Sequence, residues 1–122
     1  MKSYIVIGAL LAALAVILGA FGAHGLKEIL QVREMAVYQT AVQYHFFHAL
    51  GLILIGISGI QSPWSARLML LGIALFSGSL YLLVLTGFTK LGIITPFGGT
   101  AFIIAWLLFA WGAWKKPTQT TA

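Results

Sequence analysis

The chain has 122 residues, of which 61% are hydrophobic and 7% charged, and its mean hydropathy is +1.02. A soluble domain carries about 25% charged residues, so this composition belongs to an integral membrane protein. Seven Lys and Arg against two Asp and Glu leave a net charge of +5, spread too thinly for the dense basic stripe that grips nucleic acid, and nucleic acid is not expected as a partner. Cysteine is absent, which excludes disulfides, thiolate nucleophiles, iron–sulfur clusters, covalently attached haem and cysteine-ligated zinc.

A bilayer core about 30 Å thick takes about 20 apolar residues per helix. Four such runs occur, over residues 4–23, 35–60, 64–88 and 95–114, so residues 1–122 read as one all-α domain, an antiparallel four-helix transmembrane bundle in up-down-up-down order. The first run, from Tyr4 to Ala23, is too long for a signal-peptide core of about 7 to 15 residues and is expected to be retained as a span, although Lys2 and the small residues Gly22 and Ala23 resemble a cleavage region. A connector follows in which His24, Lys27, Glu28, Arg33 and Glu34 crowd together; Leu26, Ile29 and Leu30 share a helical face there, so it reads as a solvated turn, with a short interfacial helix or an extension of span two as the alternatives. Span two stops before Gln61, Ser62 and Pro63. Span three begins near Trp64, with Arg67 at its edge, and ends before Thr89 and Lys90. In span four Thr95 is expected to cap the free amides, with Pro96 at the first helical position. Tyr4, Trp64, Trp111 and Trp114 are placed to form an aromatic belt at the headgroups. The tail from Lys115 to Ala122 is short and polar, and its end is expected to be disordered.

Four spans put both termini on one side of the membrane. That side holds Lys2, Arg67, Lys115 and Lys116, against Lys27, Arg33 and Lys90 on the other, and four against three favours cytoplasmic termini in a bacterial inner membrane.

Helical rise of about 1.5 Å per residue sorts the polar residues by depth. Span one ends in Gly19, Gly22 and His24; span two starts with Tyr38, Gln39, Thr40, Gln43, Tyr44, His45 and His48 before turning apolar at Leu52. Span three keeps Ser77, Ser79, Tyr81 and Thr86 for its second half, and span four opens with Thr95, Gly98, Gly99 and Thr100. All four place their polar and small residues away from the termini. The expectation is a polar-lined crevice open toward the His24 and Lys90 loops and closed by an apolar plug on the terminal side. Against it stands the plainer reading that neutral His, Gln, Tyr and Ser only join helices by hydrogen bonds of about 0.6 kcal/mol each.

His45 and His48, three apart on one helix, form half of a metal site, and the remaining ligands would have to be His24, Glu28 or Glu34; a bis-histidine haem would need His24 opposite one of them. Neither a metal nor another cofactor is expected on this showing. Intramembrane carboxylates are absent, which counts against an acid-coupled carrier. Gly8, Ala12, Ala15, Gly19 and Gly22 form a small-residue stripe on span one that admits close approach of another helix, within the chain or in a second copy of a homo-oligomer. Gly98 and Gly99 read as packing contacts, with amides cradling a lipid phosphate as the alternative.

The blocks GAFGAHGL at 19–26, YQTAVQYHFFHAL at 38–50, LFSGSLY at 75–81 and TPFGG at 95–99 resemble the small four-span bacterial inner-membrane family of unknown function that also includes the transmembrane protein 256 group of eukaryotes. The resemblance covers nearly the whole chain, with four blocks in the same order on the same expected helices. It marks His24, Glu34, Gln39, Thr40, Tyr44, His48, Ser77, Gly78, Ser79, Tyr81, Thr95, Pro96, Gly98 and Gly99. His45 falls at a variable position, which weakens any mechanism using both histidines, and Ala105 stands where the pattern has Gly before Trp106. The resemblance implies the fold and supplies no reaction.

The functional expectation is a non-enzymatic membrane protein whose crevice binds a lipid or small amphipathic molecule, in an oligomer or with other membrane subunits. Its polar lining would be His24, Glu34, Gln39, His48, Ser77, Ser79 and Tyr81, with Thr40, Tyr44, Thr95, Gly98 and Gly99 as further ligand-binding positions. The alternatives are a small transporter or channel subunit, which would need a path through the apolar half, and a metal- or haem-binding subunit. An enzyme is the least expected, since the chain has only two carboxylates and no Asp.

Overall fold

In the computed structural model, which describes residues 1–117, the apolar runs form helices α1 (Lys2–Phe21), α2 (Val32–Ser58), α3 (Pro63–Gly72), α4 (Gly78–Thr86) and α5 (Thr95–Lys115). A wide π turn, Ile73–Ser77, joins α3 to α4, so that the two make one span, Pro63–Thr86. A second π turn, Gly22–Leu26, extends α1. Four segments are therefore long and apolar enough to cross a membrane: Lys2–Leu26, Val32–Ser58, Pro63–Thr86 and Thr89–Lys115. No strand occurs among the described residues.

Each boundary has a local cause. Helix α2 ends because Gly59 takes the left-handed conformation at φ +71°, and Ser58 closes the end by donating to Ile55 O and accepting from the Ile60 amide. Gly87, at φ +75°, ends α4 in the same way. The expected cap at Thr95 is not formed: a single 3₁₀ segment, Thr89–Ile93, runs into α5, Ile94 occupies the cap position with helical angles, and Thr95 lies within the helix with its hydroxyl turned to Ser79. The connector is neither a free turn throughout nor an interfacial helix. Its first part continues span one, with Leu26 buried against Tyr38 and Val84, whereas Ile29 is left exposed. The expected disorder at the tail's end concerns residues 118–122, outside the described residues.

The helices run antiparallel around α2. Helix α1 lies along α2 through the small-residue stripe, where a Cβ on Gly8 would come within 2.6 Å of Ile53 and 2.8 Å of the Ala49 carbonyl, and one on Gly22 would overlap the Tyr38 ring. The stripe is thus covered by α2 of the same chain, and a homo-oligomer built through Gly8, Ala12, Ala15 and Gly19 would compete with that packing. Helices α3 and α4 cover another side of α2, and α5 packs on α3 and the Ile73–Ser77 turn.

At the end that holds both termini, Leu52, Ile55, Ala66, Met69 and Ala105 form a core with at most 2% exposure, and Tyr4, Leu11 and Phe109 pack against it. Tyr4 therefore faces the bundle, while Trp64, Trp111 and Trp114 point outward as a belt requires. Two cations sit on the carbonyl end of α2: the Met1 amine donates to Gly56 O at 2.7 Å and Lys116 Nζ to Ser58 O at 3.3 Å, both complementing the helix dipole.

Candidate functional site

The residues singled out in the sequence do not line one crevice. They divide into interior hydrogen bonds and separate grooves along the seams of α2.

The interior set joins helices. Ser77 Oγ donates to Ala41 O at 2.8 Å, linking the π turn to α2. Ser79 and Thr95 share a hydroxyl–hydroxyl bond of 2.6 Å between α4 and α5, and Tyr81 OH meets His45 Nδ1 at 2.8 Å. Tyr38 donates to Leu18 O across the α1–α2 seam. In hydrocarbon a buried hydroxyl must find such a partner, and these residues find theirs in the protein. Thr40 instead returns its hydroxyl to Ala36 O on its own helix. Gly98 is a packing position: its Cβ would run into the backbone of Phe76, so α5 touches the π turn main chain to main chain there. None of Ser77, Ser79, Tyr81, Thr95 or Gly98 lines the grooves described below.

Gln39 opens on a groove of about 390 Å³ between the end of α1 and the start of α2, with Gly19, Gly22, Tyr38 and Gln43. Glu34 lies in another of about 590 Å³ between the start of α2 and the end of α4. His24 is exposed in the π turn beyond α1 and joins neither. Gly22 packs at Tyr38, so His24 lies about 13 Å along the bundle from His45 and does not face that residue across a porphyrin. No three His, Asp or Glu side chains gather into a metal-holding group among the described residues.

Tyr44, His48 and Gly99 come together in a third groove of about 560 Å³, between α2 and α5, walled by Phe47, Phe102, Ile103 and Trp106. It exists because α5 leans on α3 rather than on α2. The His48 ring stacks on Phe102 with centroids 3.5 Å apart and planes 10° from parallel, and Trp106 stands 5.8 Å away. Glycines make this arrangement fit: a Cβ on Gly72 would overlap the Phe102 ring from behind, and one on Gly51 would come within 3.1 Å of Trp106. His48 Nδ1 lies 2.7 Å from the Tyr44 carbonyl one turn back. A carbonyl only accepts, so Nδ1 carries the proton, and in the neutral ring Nε2 is the acceptor of a side chain that lines the groove. His45 is the contrary case. It is 2% exposed, held through Nδ1 by Tyr81, and its Nε2 has no partner among the described residues.

Reading by residue type found Tyr44, His48 and Gly99 but passed over Phe102 and Trp106, which wall the same groove. Their spacing of four on α5 was the available signal, and it is shared by any apolar helix face. Arg33, beside Glu34, likewise carries in the sequence only the signal of a loop charge.

Comparison with known proteins places these features in a family. A family profile described as "Protein of unknown function (DUF423)" matches residues 18–99, from the last turn of α1 to the first turns of α5. The UPF0382 membrane protein YwdK of Bacillus subtilis (strain 168) is 50% identical over 121 residues, covering 94% of this chain and 98% of the relative. A UPF0382 membrane protein of Staphylococcus saprophyticus is 45% identical over 119 residues, 94% of this chain and 99% of its own. One from Haemophilus influenzae is 39% identical over 121 residues, 96% and 98% respectively. No solved structure matches the chain.

Proposed function

This chain belongs to the bacterial membrane-protein family of unknown function (DUF423), and on that premise we propose that it is a non-enzymatic protein that binds a lipophilic molecule carrying a hydrogen-bond donor. The observation behind this reading is His48, which spends Nδ1 on its own helix, keeps Nε2 as an acceptor and lines a groove otherwise walled by apolar and aromatic side chains. His48 lies about 24 Å along α2 from Val32 and about 15 Å from Ser58, well inside the hydrocarbon. Water does not reach that depth to satisfy the lone pair, so the groove favours a guest that brings a hydroxyl or N–H with an apolar body. A bilayer lipid or a small amphipathic compound has that form.

Transport is the less favoured reading. The core of Leu52, Ile55, Ala66, Met69 and Ala105 closes the terminal half of the bundle, where a path would have to run.

Native mass spectrometry of the protein released from a mild detergent tests the binding reading. The unmodified chain is expected to retain a defined lipophilic adduct, His48→Ala to lose it, and Tyr81→Phe to keep it, because the Tyr81 hydroxyl is engaged by His45 inside the bundle. An adduct retained in full by His48→Ala, at an unchanged melting temperature, would remove the groove from consideration.

The orientation belongs to the same proposal: both termini face the cytoplasm of the inner membrane, following the four cations Lys2, Arg67, Lys115 and Lys116. A green fluorescent protein fused after Ala122 should then fluoresce, and a dark fusion with an active alkaline-phosphatase counterpart would reverse the assignment.

A further inference from the structure

The groove between the start of α2 and the end of α4 has a different chemistry from the His48 groove and lies on another seam of α2. Its mouth carries two opposite charges adjacent in sequence, Arg33 and Glu34, together with Thr89. Its floor is formed by Val37, Leu80 and Leu83, and its volume of about 590 Å³ is that of an ordinary small-molecule site. Along α2, Val37 is about a turn deeper than Arg33; along α4, Leu80 is about two turns deeper than Gly87. The groove therefore runs from charged to apolar in the direction that leads from the membrane surface into the hydrocarbon, the same gradient that a phospholipid has along its own length.

Three features leave the mouth open to a ligand. Gly87 turns the chain off the α4 axis at φ +75°, and a Cβ built there meets nothing within 4 Å. Helix α2 starts at Val32 with no side-chain cap from Gln31, so its first amides point outward without intrahelical partners. Neither Arg33 nor Glu34 is held in an ion pair among the described residues.

We propose that this groove is a site for a phospholipid with a primary ammonium headgroup, as in phosphatidylethanolamine. Arg33 and the amides of the first α2 turn take the phosphate, Glu34 takes the ammonium, and one acyl chain lies over Val37, Leu80 and Leu83. The adjacent plus and minus charges match a zwitterionic headgroup charge for charge. An anionic headgroup such as glycerol phosphate would leave Glu34 facing like charge. A choline headgroup carries no N–H and cannot donate to the carboxylate, whereas a primary ammonium has three donors.

The test is native mass spectrometry of the full chain in detergent, titrated with phosphatidylethanolamine, phosphatidylcholine and phosphatidylglycerol of identical acyl chains. The unmodified protein should retain the ethanolamine lipid about tenfold better than the choline lipid, the effect of one charge-assisted hydrogen bond. Glu34→Gln, nearly isosteric and half-exposed, should abolish that ratio while phospholipid is still bound, and Arg33→Gln should weaken both zwitterionic lipids alike. His48→Ala should leave the ratio unchanged, which separates this site from the function proposed above. Equal retention of the two zwitterionic lipids by the unmodified chain, a preference for the glycerol headgroup, a ratio unmoved by Glu34→Gln or a ratio lost in His48→Ala would each overturn the assignment.

Discussion

Gly98 and Gly99 are neighbours on α5 with opposite surroundings. A Cβ at 98 would strike the backbone of Phe76 and Leu75, which cannot swing aside, whereas at 99 it would find the Phe76 ring 3.7 Å away, an ordinary contact. Gly98→Ala should therefore lower stability by about 1–3 kcal/mol through overpacking, while Gly99→Ala should be neutral or gain a few tenths through helix propensity. Paired thermal melts in one detergent check this, and equal melting temperatures would mean that α5 does not approach the π turn so closely. The sequence marked both glycines as packing residues and had no means to separate them, because helical phase sets their directions 100° apart without saying which direction holds a neighbour. The histidines teach the same lesson. Position along α2 put His45 and His48 on one broad sector at intramembrane depth, but it took α4 to give His45 a tyrosine and α5 to give His48 a stacked ring.

At the scale of elements, the span Pro63–Thr86 is two α-helices joined by a π turn, and that turn sets the phase of the polar residues beyond it. Ser77, Ser79 and Tyr81 reach Ala41, Thr95 and His45 only because the helix is widened at Ile73–Ser77. A π turn accommodates one residue more than an α turn in the same register. Deleting the exposed Ala74 should hence restore continuous α-helix with the flanking faces aligned, whereas deleting the exposed Leu71 should rotate everything after it by about 100° and turn those side chains toward lipid. Urea or thermal unfolding in micelles should show the Ala74 deletion to be the milder by several degrees; equal loss from both would mean that the turn holds no extra residue. Hydrophobicity reads the span's length well, but apolar residues on all sides carry no periodicity to reveal a turn of different pitch. The Thr95 cap is absent for a related reason. A Thr–Pro pair is a sound start signal, yet a hydroxyl near Ser79 in hydrocarbon is worth more as that residue's partner than as a cap for amides that the preceding 3₁₀ segment already meets.

Across the whole molecule, α2 is the hub, and the seams it leaves with α1, α4 and α5 each open as a groove. The count and order of the spans, the bounds of the second and third within about three residues, the placement of polar residues away from the termini and the closed apolar end were all determined by the sequence, because partition between water and hydrocarbon acts on each segment by itself. What only the tertiary structure decided is which helix covers which face: that α2 packs along the Gly8 to Gly22 stripe, that serines and tyrosines face partners inside the protein, and that α5 leans on α3 and so leaves His48 a groove. Lipid and neighbouring helices are almost equally apolar, so hydrophobicity does not choose between them. The choice rests on close packing at glycines and on a few interhelical hydrogen bonds, and those arise only between segments already brought together.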